Sequence, residues 1–144
     1  VKTAPDSFFG LEPRVELVEL ESTSVYVING TPTLIEEGGR LLPTLFFQGL
    51  FPFLPKIVVN MGAVPYICNG ADVMAPGVVR VEGDFNKGTT LLINDERFDK
   101  CLAIGIALVD QHAVNTLVHG KVAKNLHYVG DKLWKLLKRK FDTI

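Results

Sequence analysis

The chain has 144 residues, of which 47% are hydrophobic and 22% are charged, and its formal net charge is −1. This length suits one medium domain or two small ones and allows a real hydrophobic core. The composition excludes an intrinsically disordered chain, and two isolated cysteines exclude a disulfide scaffold. A near-zero net charge also argues against a nucleic-acid binder that is coated with positive charge.

Charge is distributed unevenly along the chain. Residues 1–55 carry a net charge of −4 and residues 56–120 carry −2, whereas residues 121–144 carry +5. Such an asymmetry is more informative than the total, because it predicts a local basic surface near the C-terminus. A solvated helix face that binds nothing is the alternative explanation.

The first third of the chain has the alternation of apolar and polar residues that is typical of β-strands. Strands are predicted over Val15–Leu20 and Val25–Ile28. Asn29-Gly30 supplies the two positive-φ residues of a tight hairpin, and residues 33–35 are predicted to form its returning strand. A second turn is predicted over residues 36–39. The pattern therefore indicates a hairpin-rich N-terminal unit.

Prolines interrupt the segment that follows. Pro43, Pro52 and Pro55 leave room for at most a short helix over residues 44–50. The apolar run over residues 41–59 is too often interrupted to form the long apolar helix that a bilayer requires. No membrane partner is therefore expected.

Pro55 is the predicted domain boundary. The predicted parts are a first domain over residues 1–55, a second domain over residues 56–137 and a basic C-terminal tail over residues 138–144. The N-terminus has no basic region followed by an apolar stretch, so no signal peptide is expected. Together with the two unpaired cysteines, this favours a cytoplasmic protein.

Beyond Pro55, short strands alternate with short helices. Strands are predicted over residues 56–59, 78–81, 89–93, 102–109 and 124–129. Asn60 is the predicted N-cap of a helix over residues 62–68, and a second helix is predicted over residues 111–118. Asp131 precedes a basic amphipathic helix over Lys132–Phe141. The predicted fold class is α+β, mainly β: a hairpin-rich domain followed by a partly closed barrel with two short helices and a basic C-terminal helix.

No constellation for catalysis or metal binding is visible. The three serines all lie in the N-terminal third, and Cys68 and Cys101 lie in apolar patterns that predict core positions. His112 and His119 are seven residues apart, without a second pair of metal ligands. Glycine-rich loops of the kinds that hold nucleotide phosphates are absent. The chain is therefore expected not to be an enzyme, with no catalytic residue, no metal and no cofactor.

One segment between the predicted helix over residues 62–68 and the next strand is unusual. Gly70–Val78 reads GADVMAPGV, in which two glycines bracket a short apolar turn with one aspartate. Gly and Ala leave the backbone uncovered, so another chain can approach the turn closely. This suits the sugar–phosphate backbone of a nucleic acid. A tight connection that serves packing alone explains the spacing equally well.

This segment resembles the signature of the PUA domain, the RNA-binding module named after pseudouridine synthases and archaeosine transglycosylases. The resemblance continues in order through KIVVN, MGAVPYICNG, LLIND and CLAIGIALV, and it ends in KNLHYVGDKLW. It covers Lys56 to about Trp134. Over this range the resemblance implies a pseudobarrel of mixed strands with two helices.

The upstream part is similar to the pre-PUA region of archaeal and eukaryotic proteins related to the malignant T-cell-amplified sequence protein. The shared features are the Asn29-Gly30 hairpin, Pro43-Thr44-Leu45 and the exit over Pro52–Pro55. The ending N-x-H-Y-x-x-D-x-L-W, which runs from Asn125 to Trp134, is the most specific match. The basic run over Lys135–Lys140 extends past the shared core.

The resemblance implies an RNA-binding face along the first helix of the barrel, the glycine-rich turn and the last strand. Carried onto this chain, the implied RNA-binding residues are Gly62, Ala63, Gly70, Ala71, Asp72, Val73, Lys121, Lys124, Asn125, His127 and Tyr128. Backbone amides around Gly70 and Ala71 are expected to hold phosphate. Lys121 and Lys124 are expected to supply positive charge.

Two rings in the last predicted strand are candidates for stacking on an unpaired base, as RNA-binding modules commonly use aromatic residues. The alternative for Tyr128 is core packing, and the alternative for His127 is an outward-facing polar role. Trp134 is expected in the core.

The predicted function is a non-catalytic RNA-binding protein that recognises structured RNA, either tRNA or rRNA, in translation initiation or ribosome recycling. The resemblance to the eukaryotic relatives implies the small ribosomal subunit or an initiation-factor-like protein as a further partner. One alternative is an RNA-targeting accessory subunit for a tRNA-modifying enzyme such as a tRNA-guanine transglycosylase. Another is a protein-interaction module that docks a partner through its segment LLPTLFFQGLFPF.

Overall fold

The N-terminal strands form a four-stranded antiparallel sheet in a computed structural model that describes residue 10 and residues 12–141. The strands pair in chain order: β1 (Val15–Leu20), β2 (Thr23–Ile28), β3 (Thr31–Glu37) and β4 (Arg40–Pro43). Asn29 and Gly30 have φ values of 52° and 83°, as a two-residue hairpin loop requires. The predicted hairpin is therefore confirmed.

The segment after β4 differs from the predicted helix over residues 44–50. A 3-10 helix begins at Gln48 and ends at Phe53 instead. The Thr44 hydroxyl donates to the Pro32 carbonyl (2.7 Å) and accepts from the Phe46 N–H group (3.2 Å). These side-chain bonds hold Thr44 against β3 and compete with helical backbone bonds. A single turn, closed by the Phe47 N–H group donating to the Thr44 carbonyl (3.1 Å), therefore precedes the 3-10 helix.

The remaining strands form a curled six-stranded sheet with the order β6-β10-β9-β8-β5-β7. Its strands are β5 (Lys56–Val59), β6 (Val73–Met74), β7 (Val78–Glu82), β8 (Thr90–Asp95), β9 (Cys101–Ala107) and β10 (Lys121–Tyr128). All neighbours are antiparallel except β5 and β8. Ile57, Leu91 and Ile93 are fully buried inside this sheet. The predicted fold class, mainly β with a pseudobarrel, is confirmed.

Three α-helices accompany the two sheets in the described part of the chain. They are α1 (Val64–Ile67), α2 (Gln111–Val114) and α3 (Lys132–Phe141). A 3-10 turn over Met61–Ala63 precedes α1, and the Asn60 side chain caps this turn by accepting from the Ala63 N–H group (2.9 Å). The helix predicted over residues 111–118 is shorter than expected. The Thr116 N–H and hydroxyl groups both donate to the Ala113 carbonyl, which ends the helix early.

Helix α3 joins the two sheets. Leu137 is fully buried in a cluster that includes Val25 and Ile35 of the N-terminal sheet and Ile106 of β9. The Trp134 ring stacks on Phe46, with 6.0 Å between ring centroids. Trp134 is thus partly buried against the core, in partial agreement with the predicted core position. Of the helices in residues 12–141, none has the length and apolarity needed to cross a membrane.

Gly105 of β9 lies where β10 approaches most closely. A Cβ atom at this position would lie 2.6 Å from the Lys124 carbonyl oxygen and 3.1 Å from Ile93 Cδ1. We expect Gly105→Ala to lower the free energy of unfolding by about 1–3 kcal/mol, because the two strands must separate to admit the methyl group. Urea denaturation measures this loss.

Gly77→Ala is the matched control for this substitution. Its Cβ atom would lie 3.5 Å from the Ala63 methyl group, which is an ordinary contact, so little change in stability is expected. Equal stability of the two variants would show that β9 and β10 do not require the close approach.

Candidate nucleic-acid interface

A groove of about 390 Å³ lies between α1 and the glycine-rich turn. We call it the α1 groove; its walls are the 3-10 turn with α1 and residues 71–77. Gly62, Ala63 and Ala71 keep it open, because none of them has a large side chain. Tyr66 and Met74 at its edges are 69% and 45% exposed. Such a groove accepts a flat and weakly polar group such as an unpaired base.

The glycine-rich turn is built by the end of α1. Gly70 adopts φ +95°, and its N–H group donates to the Ile67 carbonyl (3.0 Å). The Ala71 N–H group reaches back to the Tyr66 carbonyl (2.9 Å), which closes the helix in the usual left-handed way. The expectation that these two amides hold phosphate is therefore corrected, because both already donate to carbonyl groups of the helix.

Asn125 of β10 fastens the last strand to this turn. Its Nδ2 group donates to the carbonyls of Ile67 (3.0 Å) and Ala71 (3.1 Å), and its backbone N–H group donates to the Asp72 carboxylate (2.9 Å). Asn125 and Asp72 thus lie together at the glycine-rich turn. The contacts show that both fix the shape of the α1 groove.

The charge beside the groove comes from β10. Lys121 forms an ion pair with Asp72 at 3.0 Å, whereas Lys124 is exposed and makes no ion pair with any described residue. Partial burial raises the pKa of Asp72, but the bond from the Asn125 N–H group and the Lys121 ammonium group outweigh it and lower the pKa below its usual range. Asp72 is therefore an anion near neutral pH, and Lys124 is the cation available to a phosphate.

The Tyr128 ring covers the glycine-rich turn from the side of β10. A Cβ atom on Gly70 would lie 3.2 Å from Tyr128 Cε1. The ring is half-buried and also packs against the core of the barrel. Tyr128 therefore packs in the core in part, and base stacking by its remaining exposed surface stays a prediction.

Two of the implied binding residues point inward. Val73 is 1% exposed and packs in the barrel core, so only its backbone borders the α1 groove. His127 is also 1% exposed, and its Nε2 atom accepts from the Leu45 N–H group (3.2 Å). Nδ1 then carries the proton and donates to the Asp131 carboxylate (2.7 Å). The expectation that His127 lies on the surface, whether stacking or merely polar, is corrected by this burial.

A β-bulge explains why His127 does not lie on the face that the resemblance implied for it. The pairing of β10 with β9 shifts between Asn125 and His127, so Leu126 is an extra residue in the strand. Strict alternation of faces fails at such a point. The sequence also gave no role to Tyr66 and Met74. Tyr66 was detectable, because it lies off the apolar stripe of α1 that packs on the barrel core.

A larger cleft of about 700 Å³ lies away from these residues, beside the 3-10 helix of residues 48–53. Its one basic wall residue, Lys56, is already paired with Asp99 (2.7 Å) and Glu82 (3.6 Å). Asp84 adds a further negative charge. An acidic lining repels phosphate, so the smaller α1 groove is the better candidate for a nucleic acid.

The cysteines and histidines form no reactive cluster in residues 12–141. No three His, Cys, Asp or Glu side chains in this part of the chain are arranged to hold a metal ion. Burial raises the pKa of the Cys101 thiol to about 12, and burial also raises the pKa of Cys68. Both residues therefore remain protonated thiols near neutral pH.

A barrel of this topology with a glycine-rich turn beside its last strand defines a class of domain, and the sequence matches that class. The family described as PUA domain matches residues 55–129, and a domain of unknown function (DUF1947) matches residues 8–48. The chain therefore belongs to the PUA domain family. Its N-terminal region is of the pre-PUA type, as the resemblance implied.

Similar proteins occur in archaea and in eukaryotes. An uncharacterised protein of Methanocaldococcus jannaschii is 33% identical over 90% of this chain and 80% of its own length. Translation machinery-associated protein 20 of Saccharomyces cerevisiae is 27% identical over 90% of this chain and 76% of its own length. Human malignant T-cell-amplified sequence 2 is 25% identical over 81% of this chain and 67% of its own length.

A solved structure has the same architecture over nearly the whole chain. The hypothetical protein from Pyrococcus horikoshii superposes with a TM-score of 0.78 and 29% identity. The match covers 92% of this chain and 90% of that protein. Both sheets of the fold are therefore shared with an archaeal relative.

Proposed function

We propose that this protein is a non-catalytic RNA-binding adaptor of translation, and that its ligand is structured RNA, either tRNA or rRNA. The observation that carries the proposal is the open α1 groove of a PUA domain with the exposed Lys124 beside it. The proposed contact residues are the walls of this groove and the outward-facing residues of β10.

The shape and polarity of the groove are complementary to an unpaired nucleotide. Gly62, Ala63 and Ala71 let a ribose or base approach the backbone, and the exposed ring of Tyr66 offers a surface on which a base can stack. Asp72 and Asn125 hold this shape without direct contact with phosphate. Binding therefore depends on RNA shape and on unpaired bases.

The charge balance supports a local contact with RNA. Lys124 supplies one cation, and Lys121 shares its charge with Asp72. RNA affinity from this surface alone is then modest and only weakly dependent on salt, because few phosphates are neutralised. This agrees with a net charge of −1 for the chain.

The role in translation rests on the relatives. The Saccharomyces cerevisiae relative is named for its association with the translation machinery. We assign this chain to initiation or ribosome recycling in the cytoplasm, with the small ribosomal subunit or an initiation-factor-like protein as partner. We assign residues 1–55 to the pre-PUA domain and residues 56–137 to the PUA domain. The predicted basic tail over residues 138–144 is corrected in part, because residues 138–141 belong to α3.

The variant Ala71→Glu tests the groove. Position 71 is exposed, and a carboxylate there would repel phosphate and narrow the entrance. We expect about tenfold weaker binding of unfractionated tRNA or purified rRNA, equivalent to about 1.4 kcal/mol. Fluorescence anisotropy with labelled RNA measures the change.

Val118→Glu is the control, because Val118 is 72% exposed and lies outside the groove. Equal RNA affinity of both variants and the unchanged protein would refute the assignment of the groove. Co-sedimentation with small ribosomal subunits tests the translation role. Binding to tRNA without any co-sedimentation would instead favour an accessory role in tRNA modification.

A further inference from the structure

Helix α3 carries a row of basic residues that the α1 groove does not use. Lys132, Lys135 and Arg139 are all exposed and are spaced three and four residues apart, so they lie on one side of the helix. We call this row the basic face of α3. The helix has ten residues and is therefore about 15 Å long.

The positive charge of this face is only partly compensated. Lys132 pairs with Glu21 at 2.7 Å, but both side chains are about 70% exposed, and such surface pairs are weak. Lys135 and Arg139 make no ion pair within residues 12–141. Residues 132–141 include no acidic side chain, so like charges face each other at three- and four-residue spacing, which destabilises an isolated helix.

The basic face adjoins the α1 groove through Tyr128. The Tyr128 ring lies over Gly70 at the groove, and it also lines a cleft of about 350 Å³ together with Lys132. Glu21 and Glu37 line the same cleft, so an anion is expected to follow the outer side of the helix and not to enter the cleft. Tyr128 therefore lies between the glycine-rich turn and Lys132, the first residue of the basic face.

We propose that the basic face of α3 is a second RNA contact, which holds the phosphodiester backbone of the RNA that continues beyond the nucleotides in the α1 groove. This inference rests on the proposed RNA-binding function. The aromatic residues of α3, Trp134 and Phe141, pack against the protein, so the basic face presents charge without a stacking surface. It therefore contacts the backbone of the RNA and does not read bases.

An acidic membrane surface is the competing occupant, and the packing of α3 argues against it. A helix that binds in the plane of a membrane inserts its apolar face among the lipids. In α3 that face is already occupied, because Leu137 is fully buried and Leu133 packs on the same cluster. The exposed side of α3 therefore offers a partner positive charge without an apolar surface, which favours RNA over a membrane.

The double variant Lys135→Gln/Arg139→Gln tests the proposal, with Lys87→Gln/Lys100→Gln as the control that removes the same charge from other exposed positions. Two probes are compared: a short hairpin RNA with a single-stranded tail, and the tail alone. We expect the double variant to bind the hairpin with its tail more weakly but to bind the tail alone normally. Loss of two phosphate contacts lowers the salt dependence, so raising salt from about 50 mM to about 200 mM should weaken the unchanged protein about ten times more than the variant.

Each other outcome overturns the proposal. Unchanged binding of both probes by the double variant, with weaker binding by Ala71→Glu, leaves the groove as an RNA site and rejects the second contact. Equal weakening of both probes also rejects it, because the charges would then act on the RNA in the groove. Loss of binding to phosphatidylserine vesicles without loss of RNA binding assigns the face to membranes. Absence of RNA binding by the unchanged protein rejects the proposed function and the second contact together.

Discussion

Replacing Asp131 by alanine is expected to lower the free energy of unfolding by about 3–5 kcal/mol. One carboxylate oxygen accepts from the Trp134 N–H group (2.7 Å) and caps α3. The other accepts from the Tyr128 N–H group (2.9 Å) and from His127 Nδ1 (2.7 Å). Loss of an N-cap costs about 0.5–2 kcal/mol, and each buried donor left without an acceptor costs about 1–3 kcal/mol.

Asp110→Ala is the matched control for this prediction. Asp110 also precedes a short helix, but among the described residues its carboxylate caps no helical N–H group and accepts from the exposed Lys87 N–H group alone (2.8 Å). Its loss should cost less than about 1 kcal/mol. Urea denaturation followed by the fluorescence of Trp134, the one tryptophan in the sequence, measures both variants. Similar stability losses for the two would show that the His127–Asp131 contact adds nothing.

The stabilisation by Asp131 should also depend on pH. Burial raises the pKa of Asp131, but the bond from His127 and the N–H groups of Trp134 and Tyr128 outweigh burial and lower the pKa below its usual value of 3.8. As pH falls, Asp131 therefore takes up its proton in the unfolded state before it does so in the folded state. The stabilisation by the Asp131 carboxylate is present above pH 3.8 and is lost as pH falls through the lower pKa of the folded state. The difference in stability between the unchanged protein and Asp131→Ala should shrink below about pH 4. A difference in stability that stays constant down to about pH 3 would contradict the lowered pKa of Asp131.

Leu137→Ala is expected to lower the free energy of unfolding by about 2–5 kcal/mol, because the side chain is fully buried where α3 packs on the N-terminal sheet. Val25, Ile35 and Leu42 belong to the same buried cluster and lie on three different strands, so they cannot collapse into the space without moving those strands. The emission of Trp134 in the folded variant should shift to longer wavelength if the helix loosens. Thermal unfolding and this emission together measure the effect.

Leu136→Ala is the control from the same helix. Leu136 is only partly buried, so its truncation should cost about 1 kcal/mol and leave the Trp134 emission unchanged. If both truncations cost the same, then α3 would not be held by its buried face. In that case the basic face of α3 would lack the fixed position that the second RNA contact requires.

The His127–Asp131 contact gives a physical reason for the motif at the end of the chain. Asn125 ties β10 to the glycine-rich turn, His127 joins β10 to the segment after β4 through Leu45, and Asp131 starts α3. Trp134 then stacks on Phe46 of the N-terminal part. These four residues connect both sheets to the one helix that bridges them. The spacing therefore records the packing of the two parts of the chain.

Local patterns predicted much of the fold. The Asn29-Gly30 hairpin, the Asn60 cap and the amphipathic helix over Lys132–Phe141 agree with the structure, because turn, cap and helix preferences depend on a few neighbouring residues. The segment over residues 44–50, which had room for at most a short helix, contains only the start of a 3-10 helix, and the helix predicted over residues 111–118 was too long. In both places a threonine hydroxyl donates to a backbone carbonyl, and such bonds compete with helical ones.

The near-zero net charge of the chain was set by the sequence alone, as was the excess of basic residues after position 120. The tertiary structure decided how those charges act: Asp72 neutralises Lys121, Glu21 engages Lys132, and Lys135 remains unpaired among the described residues. It also turned His127 inward through a one-residue bulge. A count of charges adds over the chain, whereas pairing and burial depend on which distant segments meet, and no local pattern encodes that.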